Sequence, residues 1–238
     1  MLHTYMSALQ ELNKTTDNIS TAEDPVEYNL EGINQVQTHA DIGLNFASCL
    51  RTFMRQDPDI ILVGEIRDYE TAEVGIQAAL TGHLVLSTLH TNDAPSSITR
   101  LLNMGIEPFL VTAAVNLVCA QRLLRQVCPN CKTEVKVPLQ RLIDLGIEPA
   151  AAKQMKTYKG GGCGSCANTG YSGRFGIYEI MPFTSGLKEA VLGGANSLQL
   201  KKLAIEEGMR TLRQAALTKV AEGRTTLEEA LSSTSADF

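Results

Sequence analysis

The chain contains no tryptophan, and aromatic residues make up only 5% of its 238 residues. Stacked aromatic platforms of the kind that hold single-stranded bases are therefore hard to build from it. It also lacks a basic excess: 21 Lys and Arg stand against 26 Asp and Glu, a formal net charge of −5. A protein that grips nucleic acid by its phosphates needs the opposite balance, so no nucleic-acid partner is expected. No cationic stretch followed by an apolar run opens the sequence, so no secretory leader is read there. The longest apolar stretch, Phe109 to Ala120, is interrupted by Thr112 and Asn116. It falls short of the roughly 20 residues that span a bilayer. A cytoplasmic protein without direct membrane insertion is the expectation. With 44% hydrophobic and 20% charged residues, the chain has the composition of a folded protein, neither disordered nor fibrous. Its length suits one large or two modest domains.

What is present reads as alternating strands and helices. Met1 runs straight into Leu2-His-Thr-Tyr-Met-Ser-Ala-Leu9, which reads as the middle of a helix with no cap or turn ahead of it. Residues 19–24 read as a short strand ending in acids. Asp41–Gln56 reads as an amphipathic helix, with Leu44, Ala47, Leu50 and Met54 at helical spacing and Pro58 beyond its end. Ile60-Ile-Leu-Val63 is a continuous apolar run, the pattern of a buried parallel strand. Asp68 caps a helix through about Leu80, and Leu84–Leu89 is a further strand. Asp93 and Pro95 start a helix to Met104, and Pro108 starts a longer one ending near Arg125. Such alternation implies an α/β fold around a parallel sheet.

Composition changes after Arg125. Residues 127–178 carry two CxxC pairs, Cys128/Cys131 and Cys163/Cys166, and a glycine cluster at 160–162. Two short helices, Leu139–Leu145 and Pro149–Met155, are expected between the pairs. From Glu179 the chain reads as helical again, with Ser197 capping a helix through Glu207. Thr225 with Glu228 suggests a capping box for the last helix. The segments 1–126, 127–178 and 179–238 are thus the expected domains. In a reducing compartment, paired CxxC knuckles read as a metal site and not as disulfides. Each knuckle presents two thiolates, and two knuckles complete a Zn–S₄ tetrahedron with no open position, which makes the ion structural. Unmetallated thiols are the alternative. Cys49 and Cys119 fall in apolar segments expected to be helical and read as core residues.

In an open parallel sheet, ligands bind beyond the carboxyl ends of the strands. The first strand runs into Glu23-Asp24-Pro25-Val26-Glu27, the second into Gly64-Glu65-Ile66-Arg67-Asp68, and the third into His90-Thr91-Asn92-Asp93. An apolar strand ending in an acid is the arrangement that reaches Mg²⁺ in nucleotide-hydrolysing enzymes, and Glu65 is the candidate. A solvated strand-end acid gives the same pattern. Arg51 and Arg55, four apart, are expected on one helix face, where they can hold phosphate oxygens or pair with neighbouring acids. His83 and His90 are seven apart, and an odd separation on a strand sends side chains to opposite faces, so they do not chelate one metal. Each can contact phosphate, and each can equally be structural.

Taken in order, these segments resemble the secretion ATPase superfamily, the motors of type IV pilus assembly and type II secretion. Thr21-Ala-Glu-Asp-Pro-Val-Glu-Tyr28 is similar to its aspartate box. Arg51 through Asp68 is similar to its arginine helix and Walker B strand, and Thr81 through Ala94 to its histidine box. Ala120-Gln-Arg-Leu-Leu-Arg125 leads into Cys128 as the family's entry to its tetracysteine module does. The resemblance covers nearly the whole chain and implies a RecA-like P-loop NTPase core, a zinc module and a C-terminal helical subdomain. It implies that Glu27 orients or deprotonates the attacking water, that Asp24 supports it, and that Glu65 acts on Mg²⁺. It places His83 and His90 near the nucleotide, and lets Arg51, Arg55 and Arg67 approach phosphates. It further implies ATP with Mg²⁺, structural Zn²⁺ at Cys128, Cys131, Cys163 and Cys166, a homo-hexamer, and an inner-membrane platform protein as partner.

One departure is plain. The phosphate loop GxxxxGK[ST], whose backbone N–H groups and lysine cradle phosphates, occurs nowhere in the sequence, and the glycines at 160–162 lead into Cys163 without a lysine. In the family that loop precedes a helix resembling Leu2 to Asn13. The expectation is the C-terminal part of a motor, starting after the phosphate loop and inactive alone. The alternatives are a zinc-stabilised interaction fragment without catalysis, or the motor of a competence or related pilus system. Retraction motors usually lack the tetracysteine module, so the resemblance leans towards pilus assembly.

Overall fold

The computed structural model describes residues 2–237; Met1, expected to lead into the first helix, lies outside them. Leu2–Leu12 forms helix α1, and Met6 and Leu9, three apart, are buried on one side of it. Strand β1 (Ile19–Glu23) is buried along its whole length. Strand β2 (Asn34–Gln37) was not expected, because Asn-Gln-Val-Gln carries no apolar signal.

The next helix starts later than expected. Ala40–Ile42 is a single 3₁₀ turn closed by Gly43 in the left-handed region (φ 82°). Asn45 then caps helix α2 (Phe46–Phe53) through a reciprocal box with Ser48. A cap and a left-handed glycine thus override the apolar spacing that pointed back to Asp41. Strand β3 (Ile60–Val63), helix α3 (Tyr69–Leu80) capped by Asp68, strand β4 (Leu84–Ser87) and helix α4 (Ala94–Asn103) capped by Asp93 follow the expected order. The four strands form one sheet in the order β2-β1-β3-β4, with every neighbouring pair parallel. Ala22, Val63 and Ser87 stand in register, so the carboxyl ends of β1, β3 and β4 share an edge. Ile61 and Val63 pack with Leu50, Phe53 and Val74 in one layer, and Ile60 and Leu62 with Leu9 and Ile19 in the other.

The long helix expected from Pro108 to near Arg125 is a correction. Helix α5 covers only Pro108–Ala114; Val115 is extended, and strand β5 runs from Leu117 to Val127. It pairs with strand β8 (Tyr171–Pro182). Leu124 is fully buried beside an exposed Leu123, a two-residue alternation that partner pairing imposes on a segment of ambiguous period. Cys119 is consequently exposed on this strand and not in a helical core, whereas Cys49 is buried as expected. The chain is also not helical from Glu179: Ile177, Glu179 and Met181 are buried in alternation along β8. Between the strands lie β6 (Lys132–Val135), α6 (Leu139–Asp144), α7 (Pro149–Gln154) and β7 (Thr157–Gly160), with β6 and β7 antiparallel.

Helices α8 (Ser185–Leu192), α9 (Ser197–Glu206), α10 (Leu212–Ala221) and α11 (Leu227–Ser233) complete the chain. Two caps fall one residue away from expectation. Asn196 and Gln199 form the reciprocal box at α9, and Thr226 caps α11 while Thr225 donates to the Arg125 carbonyl. Two compact units result: residues 1–118 with 182–204, and residues 119–181 with 205–238. The second has its own core, in which Leu124, Leu142 and Ile177 meet Leu212, Leu217 and Leu227. No described helix is long and apolar enough to cross a membrane.

Candidate functional site

The shared strand edge gathers a compact charged cluster. Gly64 follows β3, and its N–H donates to the Ala22 carbonyl at 2.8 Å. A Cβ there would come within 3.2 Å of that oxygen, so glycine lets β3 and β1 end side by side. Thr88 beyond β4 donates its hydroxyl to the Gly64 carbonyl at 2.7 Å. These bonds fix Glu65, which is buried to 9% residual exposure. Its Oε1 lies 2.5 Å from Arg67 Nη2 and its Oε2 2.9 Å from His90 Nε2.

Burial pushes the Glu65 carboxyl up, but hydrogen bonds and charge from Arg67 and His90 together outweigh it and hold the group below the usual carboxylate range. Glu65 in turn raises Arg67 through its hydrogen bond and charge, with a smaller electrostatic contribution from Asp24. Burial also raises the Tyr5 hydroxyl on α1, with Glu23 and Glu27 adding to the effect. Glu27 itself is exposed.

The other expected residues lie elsewhere. His83 precedes β4 at the opposite end of that strand, with Nδ1 2.9 Å from the Ala78 carbonyl and 3.1 Å from Thr81 Oγ1, closing the end of α3. Arg51 on α2 pairs with Glu70 of α3 at 2.8 Å. Arg55 lies past the cap residue Met54, in the turn beyond the helix, and is exposed. The structure therefore joins Glu65, Arg67 and His90, leaves His83, Arg51 and Arg55 outside that cluster, and leaves Asp24 and Glu27 exposed on the segment after β1.

The second site is cysteine-built. The sulfurs of Cys128, Cys131, Cys163 and Cys166 all lie within 4.8 Å of one another, with 3.9 Å for Cys128–Cys163, 3.9 Å for Cys131–Cys166 and 3.7 Å for Cys163–Cys166. A tetrahedral zinc with Zn–S near 2.3 Å needs sulfurs about 3.8 Å apart, so the donor set fits that ion. The backbone N–H groups of Cys163 and Gly170 point at Cys166 Sγ from 3.2 and 3.3 Å. Burial pushes this thiol up, but those bonds and the neighbouring thiols win and lower it to about 6. The glycines explain themselves here: a Cβ on Gly160 would sit 2.0 Å from the Gly170 carbonyl oxygen. They let two backbones cross beside the knuckles.

Two features of the second unit escaped the sequence reading. Arg125 donates Nε and Nη2 to Glu229 Oε2 at 2.8 and 2.5 Å, and its guanidinium lies 4.1 Å from the Tyr171 ring centre. Lys132 likewise caps the Tyr158 ring and donates to the Gly223 carbonyl. Glu229 lies 104 residues from Arg125 and Gly223 91 from Lys132, and no local pattern announces either contact.

Comparison with known proteins adds the following. The model of the family described as "Type II/IV secretion system protein" matches residues 3–232. The type IV pilus assembly ATPase PilB of Myxococcus xanthus is 59% identical over 235 residues, which is 98% of this chain and 42% of that protein. The type II secretion system protein E of Aeromonas hydrophila is 44% identical over 234 residues, 98% of this chain and 46% of that protein. The chain thus spans less than half the length of either relative. A crystal structure of the pilus retraction motor PilT with bound ADP superposes with a TM-score of 0.70 at 26% identity, covering 96% of this chain and 56% of that one.

Proposed function

The chain belongs to the type II/IV secretion system protein family, and from that premise we propose that it is part of an ATPase that powers type IV pilus assembly or type II secretion. The observation that carries the reading is the cluster of Glu65, Arg67 and His90 at the carboxyl edge of a parallel sheet, where such sheets bind ligands. On this reading the sheet belongs to a RecA-like core, Glu65 is the carboxylate that would act on Mg²⁺ bound with ATP, and Asp24 supports Glu27. The ion would neutralise phosphate charge there.

Arg67 and His90, exposed on their outer sides, are shared between Glu65 and an incoming phosphate. Glu27 on the exposed loop after β1 takes the proton of the attacking water. Arg51, Arg55 and His83, outside the cluster in this chain, serve nucleotide from positions brought up by neighbouring subunits of a homo-hexamer. The tetracysteine site holds structural zinc. The machine works in the cytoplasm against an inner-membrane platform protein. Identity to pilus assembly ATPases favours that system over secretion.

The sequence contains no GxxxxGK[ST], so this stretch by itself binds Mg·ATP weakly: it lacks several charge-assisted hydrogen bonds of roughly 1.5 to 3 kcal/mol each. Calorimetric titration of the chain alone is expected to show no micromolar binding. A longer chain that supplies a phosphate loop ahead of α1 is expected to hydrolyse ATP. In it Glu65→Gln and Glu27→Gln each lower kcat about 100-fold or more; an unchanged kcat in both variants would overturn the assignment. That absent loop also favours a second reading, a non-catalytic zinc-stabilised interaction module, and ATP turnover by the longer chain decides between them.

A further inference from the structure

Strand β2 is polar, short and at the sheet's edge, yet its side chains are fully engaged. Gln35 and Gln37 are two apart and share a face. In register they stand opposite Thr21 and Glu23 of β1. Glu23 is buried to 1% residual exposure. Its Oε1 accepts from Thr21 Oγ1 at 2.6 Å and from Gln35 Nε2 at 2.9 Å, while Oε2 has no hydrogen-bond partner among the described residues.

Gln35 does three things at once. Its Nε2 donates to Glu23 and also to the Tyr28 carbonyl at 3.0 Å, and its Oε1 accepts the Leu30 N–H at 2.6 Å. Gln37 Oε1 accepts the Val26 N–H at 3.4 Å. Val26 and Tyr28 are the two neighbours of Glu27. The backbone on both sides of that residue is therefore tied to β2, in a loop whose residues 24–31 are otherwise largely exposed. The side-chain amide supplies both the donor that a buried carboxylate requires and the acceptor that Leu30 requires.

We propose that Gln35, seconded by Gln37 and braced by the buried Glu23, is the positioning residue that holds Glu27 in place for the reaction. Holding a loop residue against its own conformational freedom is costly, and it is the ordered partner strand that offsets the cost. The proposal rests on the reading of Glu27 as the residue that acts on water.

The test separates the two. In the chain without nucleotide, amide hydrogen exchange is followed by NMR at Val26, Leu30 and, as a fold reference, Ile61 of β3. Gln35→Leu is expected to speed exchange at Leu30 by about fivefold, the worth of one ordinary hydrogen bond, with Ile61 unchanged. Gln37→Leu is expected to release Val26 and spare Leu30. Gln35→Glu supplies a reading that loss of packing alone would not produce. It removes the amide donor from Glu23 and from the Tyr28 carbonyl but keeps an oxygen that can accept the Leu30 N–H, so its effect at Leu30 reports the lost donor and not lost packing. Unchanged protection at Leu30 in Gln35→Leu overturns the proposal. So does loss of protection at Ile61 together with Leu30 in all three variants, which would make the glutamines supports of the sheet. In the longer chain with a phosphate loop, Gln35→Leu should lower kcat while leaving KM for ATP unchanged. A released loop with undiminished kcat overturns the positioning role. If Glu27→Gln itself leaves kcat intact, the reading of Glu27 fails while the measured anchoring stands.

Discussion

The sheet-edge cluster and the tetracysteine site both concentrate groups that carry negative charge, and they differ in how that charge is met. At the sheet edge, Glu65 is covered by Arg67 and His90, whose side chains are 66% and 72% exposed. Such partners gain little from holding on and lose little by leaving. At the knuckles, four sulfurs surround one point with backbone N–H groups behind them, and nothing exposed can be exchanged. A carboxylate with a removable cover suits a site that must take and release ligand. A closed donor set suits architecture.

Metal removal is the strongest way to break this comparison. Elemental analysis is expected to find one zinc per chain, and a chelator to erase amide protection in β6 and β7 while leaving β1 and β3 protected. Structural zinc contributes on the order of 10 kcal/mol in small domains. Equal protection before and after chelation in both places would remove the contrast.

The next effect sharpens it within carboxylates. Glu229 is as firmly paired as Glu65 and comparably buried, at 6% against 12% side-chain exposure, but its partner Arg125 is less exposed than Arg67, at 50% against 66%. Arg125→Met strands that carboxylate and should cost about 2 to 3 kcal/mol in chemical unfolding. Arg67→Met, which leaves His90 on Glu65, should cost clearly less. Similar losses would mean that exposure does not distinguish the two pairs.

Acid titration probes the same groups. For Glu229, burial pushes the carboxyl up, but hydrogen bonds and charge from Arg125 hold it below the usual range, as Arg67 and His90 do for Glu65. Groups whose folded-state pKa is lowered bind fewer protons folded than unfolded. Their stabilisation is therefore complete at neutral pH, persists on alkaline titration, and is lost as pH falls through the ordinary carboxylate range and below. The contribution of these two carboxylates should therefore be lost on the acid side, as unfolding followed by circular dichroism would show.

The smallest effect tests the caps. Asn196→Ala should cost about 1 kcal/mol in thermal unfolding, while Ser197→Ala should be nearly silent.

The same contrast governs what was legible beforehand. The cysteine cluster could be read from spacing because its members come in two local pairs and are all of one residue type. Ile60–Val63 and the caps Asp68 and Asp93 were legible for the same reason: each is decided within a few residues. The sheet-edge cluster was legible as three acidic or basic strand ends, but that Arg67 and His90 both reach Glu65 depends on register between strands, which no local spacing encodes. Strand β2 stayed hidden because its role is polar. Strand β5 was read as helix because Leu, Val and Ala between Phe109 and Leu124 fit either period until β8 lies beside them. The grip of Arg125 on Glu229 joins residues 104 apart and had no sequence signal at all.

The crossing of Gly160 and Gly170 has a consequence for how variation in this region would be interpreted. A methyl group on either residue would fall inside the other's backbone, 2.0 Å from one carbonyl oxygen and 2.7 Å from the other, whatever the metal content. In a saturation mutagenesis screen these two positions would score as intolerant as the cysteines. Adding zinc would not rescue them, and their sensitivity would report the path of the chain and not its chemistry.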